Sequence, residues 1–203
     1  MNRPLMIAAA LLFAVGVAPA RGAVIPIYVV AGQSNATGYE SNAGLLPAQW
    51  QSTQSKVLYA GAQDYGVNWN NMASPTEPGG SSRIAQGVAG FGPELTLGQT
   101  LSDNLPGKPM VGIVKYTMNG TGLANGADNF NAGWAPNPVD PYTQSNIYTN
   151  MVSRVKTALT DLPLQKPGNT GQVAGFFWMQ GETDAAQGRT TAQYQQNLTD
   201  FIA

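Results

Sequence analysis

The chain alternates two periodicities that cannot share one element, and this constrains its fold more than any other feature. Four short runs are rich in β-branched and aromatic residues, nearly continuous in apolar character and bounded by turn formers. They are "IPIYVVA" (25–31), "KVLYA" (56–60), "PMVGIVKYT" (109–117) and "VAGFFWMQ" (173–180). Runs of this length and makeup suit strands buried on both faces. Between them lie segments of helical spacing. "GPELTLGQTLSDNLPG" opens at Pro93, places Leu97, Leu101 and Leu105 on one face and stops at Pro106-Gly107. From Gln144 to Leu162 the residues Ile147, Met151, Val155, Leu159 and Leu162 recur at helical intervals. Strand, helix, strand, helix, strand in this order predicts a parallel sheet covered on both faces, an α/β domain. No internal repeat is visible, and the polar, Gly/Pro-rich stretch from Gly61 to about Gly90 reads as a long loop, of a length usually functional or disordered.

Both ends carry signals of their own. Arg3, the apolar stretch from Leu5 to Val17 and the small residues of Ala18-Pro19-Ala20 match a secretory signal cleaved after Ala20. The apolar segment is short for a membrane span, and no stop-transfer pattern follows it. Residues 21–203 are then one domain, large enough to bury a core without staples. At the other end Tyr194, Leu198, Phe201 and Ile202 form a stripe still running at Ala203, with no capping glycine or closing proline. That pattern predicts a domain whose C-terminal part is missing from these residues.

Composition removes whole classes of function. The 203 residues contain no cysteine and no histidine, so disulfides, thiolate metal sites and imidazole ligands are excluded. A net charge of −1, with charged residues only 10% of the chain and no basic cluster, argues against nucleic acid or an anionic membrane surface as partner. A surface of neutral polar groups suits an exported protein that handles neutral polar ligands such as sugars.

In parallel α/β sheets functional groups gather at the carboxyl ends of strands. Three segments sit at such ends: "GQSN" (32–35), "MNGTG" (118–122) and "QGETD" (180–184). Acyl transfer through serine needs a hydroxyl at a sharp turn and donors aimed at the developing oxyanion. Ser34 offers the hydroxyl and its own backbone N–H, Gly120 a second N–H and the Gln180 amide a third donor. Each has an ordinary alternative. A serine after a strand often caps a helix, a strand-ending glycine makes a turn, and a glutamine satisfies buried backbone.

Taken together, "AGQSNATG", "FGPELTLGQTL", "VGIVKYTMNGTGL" and "GFFWMQGETDA" are similar in order and spacing to the blocks of sialate O-acetylesterase-like carbohydrate esterases. These belong to the SGNH hydrolase superfamily, which includes acetylxylan esterases. The resemblance runs from about Val24 to Ile202. It implies a three-layer α/β/α sandwich of SGNH, flavodoxin-like type, with a central parallel sheet, here lacking its C-terminal part. It implies Ser34 as nucleophile, Gly120 as a glycine oxyanion donor and Gln180 at the place of a side-chain donor. Asn35, Asn119 and Glu182 fall at positions that organise the site and meet substrate. The substrate implied is an O-acetylated carbohydrate, attacked through an acetyl-enzyme, with no metal or organic cofactor.

Three departures stand out. Asn119-Gly120 replaces a pair of glycines, and Ala36 replaces a methionine, a packing variation. The third is serious: the family's histidine lies in a C-terminal "D-x-x-H" block, and this sequence has neither. The resemblance thus implies a chain that is close to inactive as it stands. Glu182 or Asp184 as substitute base is a poor match for a serine hydroxyl.

Rival readings are weaker or less specific. "GTGLANG" has the wrong spacing for a dinucleotide fingerprint, and Ala36 breaks the G-x-S-x-G elbow. A secreted carbohydrate-binding module, with Trp134 and Trp178 stacking on sugar rings, fits the absence of histidine. Asn35 and Asn119 both begin glycosylation sequons, "NAT" and "NGT", inside the proposed site. A working site therefore predicts a secretory route that leaves them unmodified, as in most bacteria. Sugar choice is expected to lie in the loops 61–90 and 123–143.

Overall fold

The computed structural model describes residues 22–61, 67–73, 76, 89–124, 133–136 and 146–203. In chain order the elements are β1 (Val24–Gly32), α1 (Ser34–Thr37), a 3-10 turn (Ala43–Leu45), α2 (Ala48–Gln51), β2 (Gln54–Ala60) and β3 (Asn70–Met72). They continue with α3 (Glu94–Asn104), β4 (Val111–Thr117), α4 (Asn146–Gln165), β5 (Thr170–Met179), α5 (Glu182–Ala186) and α6 (Thr191–Ile202).

The five strands form one sheet in the order β3-β2-β4-β1-β5. β1 pairs in parallel with β4 and with β5, and β2 pairs in parallel with β4. These four are the strands read from sequence, each extended by a residue or more at one end or both, or trimmed. β3 is an addition. It pairs antiparallel on β2 and makes the sheet mixed. No apolar run announces Asn70-Asn71-Met72; the pairing is carried by the fully buried Met72 and by Asn71 Nδ2, which donates to Ser55 O at 2.9 Å. Part of the stretch expected to be loop is thus built into the fold. Trp69 beside it is buried, with its indole N–H on Ala158 O at 2.8 Å.

Side chains alternate across the sheet and divide the core. On one face Tyr28, Val30, Val57, Val111 and Ile113 pack against Leu95, Leu97, Leu101 and Leu105 of the α3 segment. On the other, Ile25, Ile27, Leu58 and Val114 meet Val155, Ala158, Leu159 and Leu162 of α4. A further cluster on that face joins Ala31 and Trp134 to Ile147 and Met151 of α4 and Phe201 of α6. Helix, sheet, helix is the three-layer sandwich the sequence predicts.

β5 departs from the expectation of burial on both faces. It is the outer strand, with β1 on one side only, and Phe176, Phe177 and Met179 stay about two-fifths exposed, at 43%, 40% and 42%. The predicted export signal lies outside the described residues. Among those described, no helix is long and apolar enough to cross a membrane.

Candidate active site

Parallel pairing puts the carboxyl ends of β4, β1 and β5 side by side. Gly32, the last residue of β1, sits opposite Thr117 of β4 and Met179 of β5. Beyond the ladders, Gln33 N donates to Met179 O and Met118 N to Gly32 O, both at 3.0 Å. Gly32 has a φ of 140°, and a Cβ there would stand 2.0 Å from Met179 O. Only glycine lets the strand turn so sharply against β5.

The chain enters α1 at once, so Ser34 is the first residue of a four-residue helical turn. Gly38 closes the turn, its N–H donating to Ser34 O at 3.0 Å. Ser34 is half-buried at the strand end, and among the described residues no side chain bonds its Oγ. Asn35 is exposed and donates through Nδ2 to Glu182 Oε1, so these two predicted site residues meet directly. Ala36, within the turn, is fully buried, and a Cβ at Gly32 would stand 3.1 Å from its methyl.

A net of hydrogen bonds ties the three strand ends together. The Gln180 carboxamide nitrogen lies 3.1 Å from Gln33 Oε1, 3.1 Å from Thr121 O and 2.6 Å from Asp184 Oδ2. Its carbonyl oxygen accepts from Tyr194 Oη at 3.0 Å. Gln33 Oε1 also accepts from Thr183 N at 3.2 Å. Asp184 is 1% exposed and accepts from Leu123 N at 2.7 Å and Ala124 N at 3.1 Å. Gln180 therefore has two N–H hydrogens and three protein acceptors. Aiming one hydrogen at a substrate means releasing an acceptor.

Gly120 is exposed with φ at 70°, in the turn that follows β4. Asn119 beside it is half-buried, and its buried Oδ1 has no hydrogen-bond partner among the described residues. Burial raises the Tyr194 phenol pKa; the Trp178 indole opposes the shift, and the nearby Asp184 and Glu182 carboxylates add to it. Tyr194 is thus held as a neutral donor on Gln180.

Trp134 is not a platform for sugar. It is fully buried, its indole N–H is spent on Thr121 Oγ1 at 2.8 Å, and its ring packs edge-on to Trp178 with centroids 5.0 Å apart. Gln33, Thr121 and Tyr194 join the site as well, the last legible in sequence only as part of the C-terminal apolar stripe. Gln33 carried a usable signal, because a polar residue directly after a buried strand needs partners.

The chain matches a family model described as carbohydrate esterase, sialic acid-specific acetylesterase, over residues 24–203. It belongs to that family. No curated protein matches it. Among solved structures, one of a protein from Arabidopsis thaliana is similar with a TM-score of 0.57 and 19% identity, over 87% of this chain and 66% of that one. The crystal structure of NanS is similar with a TM-score of 0.56 and 18% identity, over 89% of this chain and 62% of that one. At such identities the two establish a shared fold. This carbohydrate esterase family chain spans less than two thirds of their length.

Proposed function

We propose that this chain carries the nucleophile and oxyanion side of a serine esterase that removes O-acetyl groups from carbohydrates. The observation that carries the reading is the meeting of three strand ends at one edge, with the half-buried Ser34 on a tightly held turn and the Gly120 turn tied in beside it. Ser34 Oγ attacks the acetyl carbonyl as a base takes its proton. The acyl C–O bond to the sugar breaks, the sugar oxygen takes that proton, and the acetyl group stays on Ser34 as an ester. Water then attacks the ester under the same base and releases acetate. The N–H groups of Ser34 and Gly120 face the developing oxyanion, and the Gln180 amide joins them if it gives up Gln33 or Thr121. Glu182 holds Asn35, and Asn119 stands beside Gly120 at the same edge, where substrate is expected to lie.

The 203 residues contain no histidine, so the base is not supplied in the usual way. Loss of the histidine from such a constellation costs about a million-fold in turnover, by analogy with subtilisin. On this reading residues 1–203 alone are close to inactive, and the base comes from outside them. The same reading has the protein exported, with Asn35 and Asn119 unglycosylated.

Added imidazole tests this. Hydrolysis of p-nitrophenyl acetate by residues 1–203 is expected to be feeble, to rise with imidazole above the free-imidazole rate, and to lose that rise in Ser34→Ala. A normal esterase rate without imidazole, abolished by Ser34→Ala, overturns the need for an outside base. A second reading, a carbohydrate-binding module, is favoured by the same absence of histidine. Glycan binding with no Ser34-dependent acetate release from any acetylated panel member, even in a longer chain, supports it instead.

A further inference from the structure

One charged pair lies wholly inside the domain, directly under the nucleophile turn. Lys115 on β4 and Glu94 at the start of α3 are both fully buried, with Nζ 2.9 Å from Oε2. Lys115 Nζ also donates to Thr37 O at 2.8 Å, the carbonyl of the last residue of α1. Glu94 Oε1 accepts from Gly92 N at 2.9 Å and from Thr76 Oγ1. The ammonium thus joins three separate parts of the chain: the Ser34 turn, the middle of the sheet and the head of α3. A charged pair kept out of water is poor evidence of stability, because desolvation offsets the attraction and apolar replacements are commonly as stable. Its location gives another reason to keep it. α1 has four residues, too few to hold their own conformation, and a carbonyl at its end needs a donor.

We infer that Lys115 and Glu94 are positioning residues: the buried pair fixes the helical turn that carries Ser34, through the carbonyl of Thr37. Glu94 is the second half of the device, since it holds the ammonium on the sheet side and ties it to the 92–94 segment. The purpose of the fixed turn rests on the esterase reading; the fixing itself does not.

The test is a double replacement, Lys115→Met with Glu94→Leu, which keeps volume and removes both charges together. Amide hydrogen exchange is followed at Gly38 and Tyr39, whose N–H groups both donate to Ser34 O at 3.0 Å. Exchange there is expected to rise at least about tenfold, the equivalent of about 1.4 kcal/mol of local opening, while β1 and β4 keep their protection. The Ser34-dependent, imidazole-driven rate is expected to fall in kcat with KM unchanged. Unchanged exchange at Gly38 and Tyr39 overturns the inference. So does a loss spread evenly over β1, β4 and the turn, which would make the pair part of general packing. If the double variant does not fold, Glu94→Gln, which keeps the shape and removes the counter-charge, is read in the same way. If the parent shows no imidazole-driven rate, the esterase reading is what fails, and exchange still decides the positioning role.

Discussion

Asp184→Asn is the substitution whose cost follows most directly from the structure. Asp184 is 1% exposed and takes three hydrogen bonds, from Leu123 N, Ala124 N and Gln180 Nε2. Asparagine keeps one acceptor oxygen and turns an NH2 group toward at least one of those donors. Hydrogen bonds to a charged group contribute about 1.5–3 kcal/mol each, and a buried donor left facing another donor costs about 1–3 kcal/mol. Losing one such bond and adding some of that mismatch gives about 2–4 kcal/mol. In a domain of this size that lowers the melting temperature by about 5–15 °C. Thermal unfolding followed by circular dichroism measures the total. Hydrogen exchange at Leu123 and Ala124 shows where it arises, and these two amides should lose protection first. A melting temperature within about 2 °C of the parent, with both amides still protected, would mean that Asp184 is not what holds the loop after β4.

Gly32→Ala puts a methyl 2.0 Å from Met179 O at a φ of 140°, so a loss of about 3 kcal/mol or more is expected in urea unfolding. Trp134→Ala removes a fully buried ring and should cost about 3–5 kcal/mol, whereas Trp134→Phe should leave any glycan affinity measured by calorimetry unchanged. Tyr194 has a folded-state pKa above its ordinary value of 10.0, chiefly through burial. The folded state therefore keeps its proton longer than the unfolded state. Its contribution is intact below pH 10 and declines as pH climbs through the raised value. The urea midpoint should fall in that window, and Tyr194→Phe should flatten the fall.

Much of the architecture was legible from sequence because burial on both faces leaves a continuous apolar run. "IPIYVVA" and "VGIVKYT" are such runs, and each became an inner strand. The site segments were legible for a related reason. A parallel sheet delivers the residues after each strand to one edge, so "GQSN", "MNGTG" and "QGETD" had to meet once the strands were neighbours. β3 was not legible, since Asn70-Asn71-Met72 has no pattern of its own and forms by pairing with β2 and burying Met72. The exposure of β5 was hidden as well: an outer strand and an inner one can carry the same apolar run.

By itself, then, the sequence settled the alternation of strand and helix, the turn glycines and the three polar segments at strand ends, because local spacing and backbone sterics dictate these. It also settled that no imidazole is present among these residues. Which way each polar side chain points was decided only by the tertiary structure. Gln180 faces inward onto Gln33, Thr121 and Asp184, and the lysine of β4, Lys115, finds Glu94 and the Thr37 carbonyl. Those partners stand far apart in the chain, and a buried polar group is satisfied by whatever folding brings within about 3 Å of it.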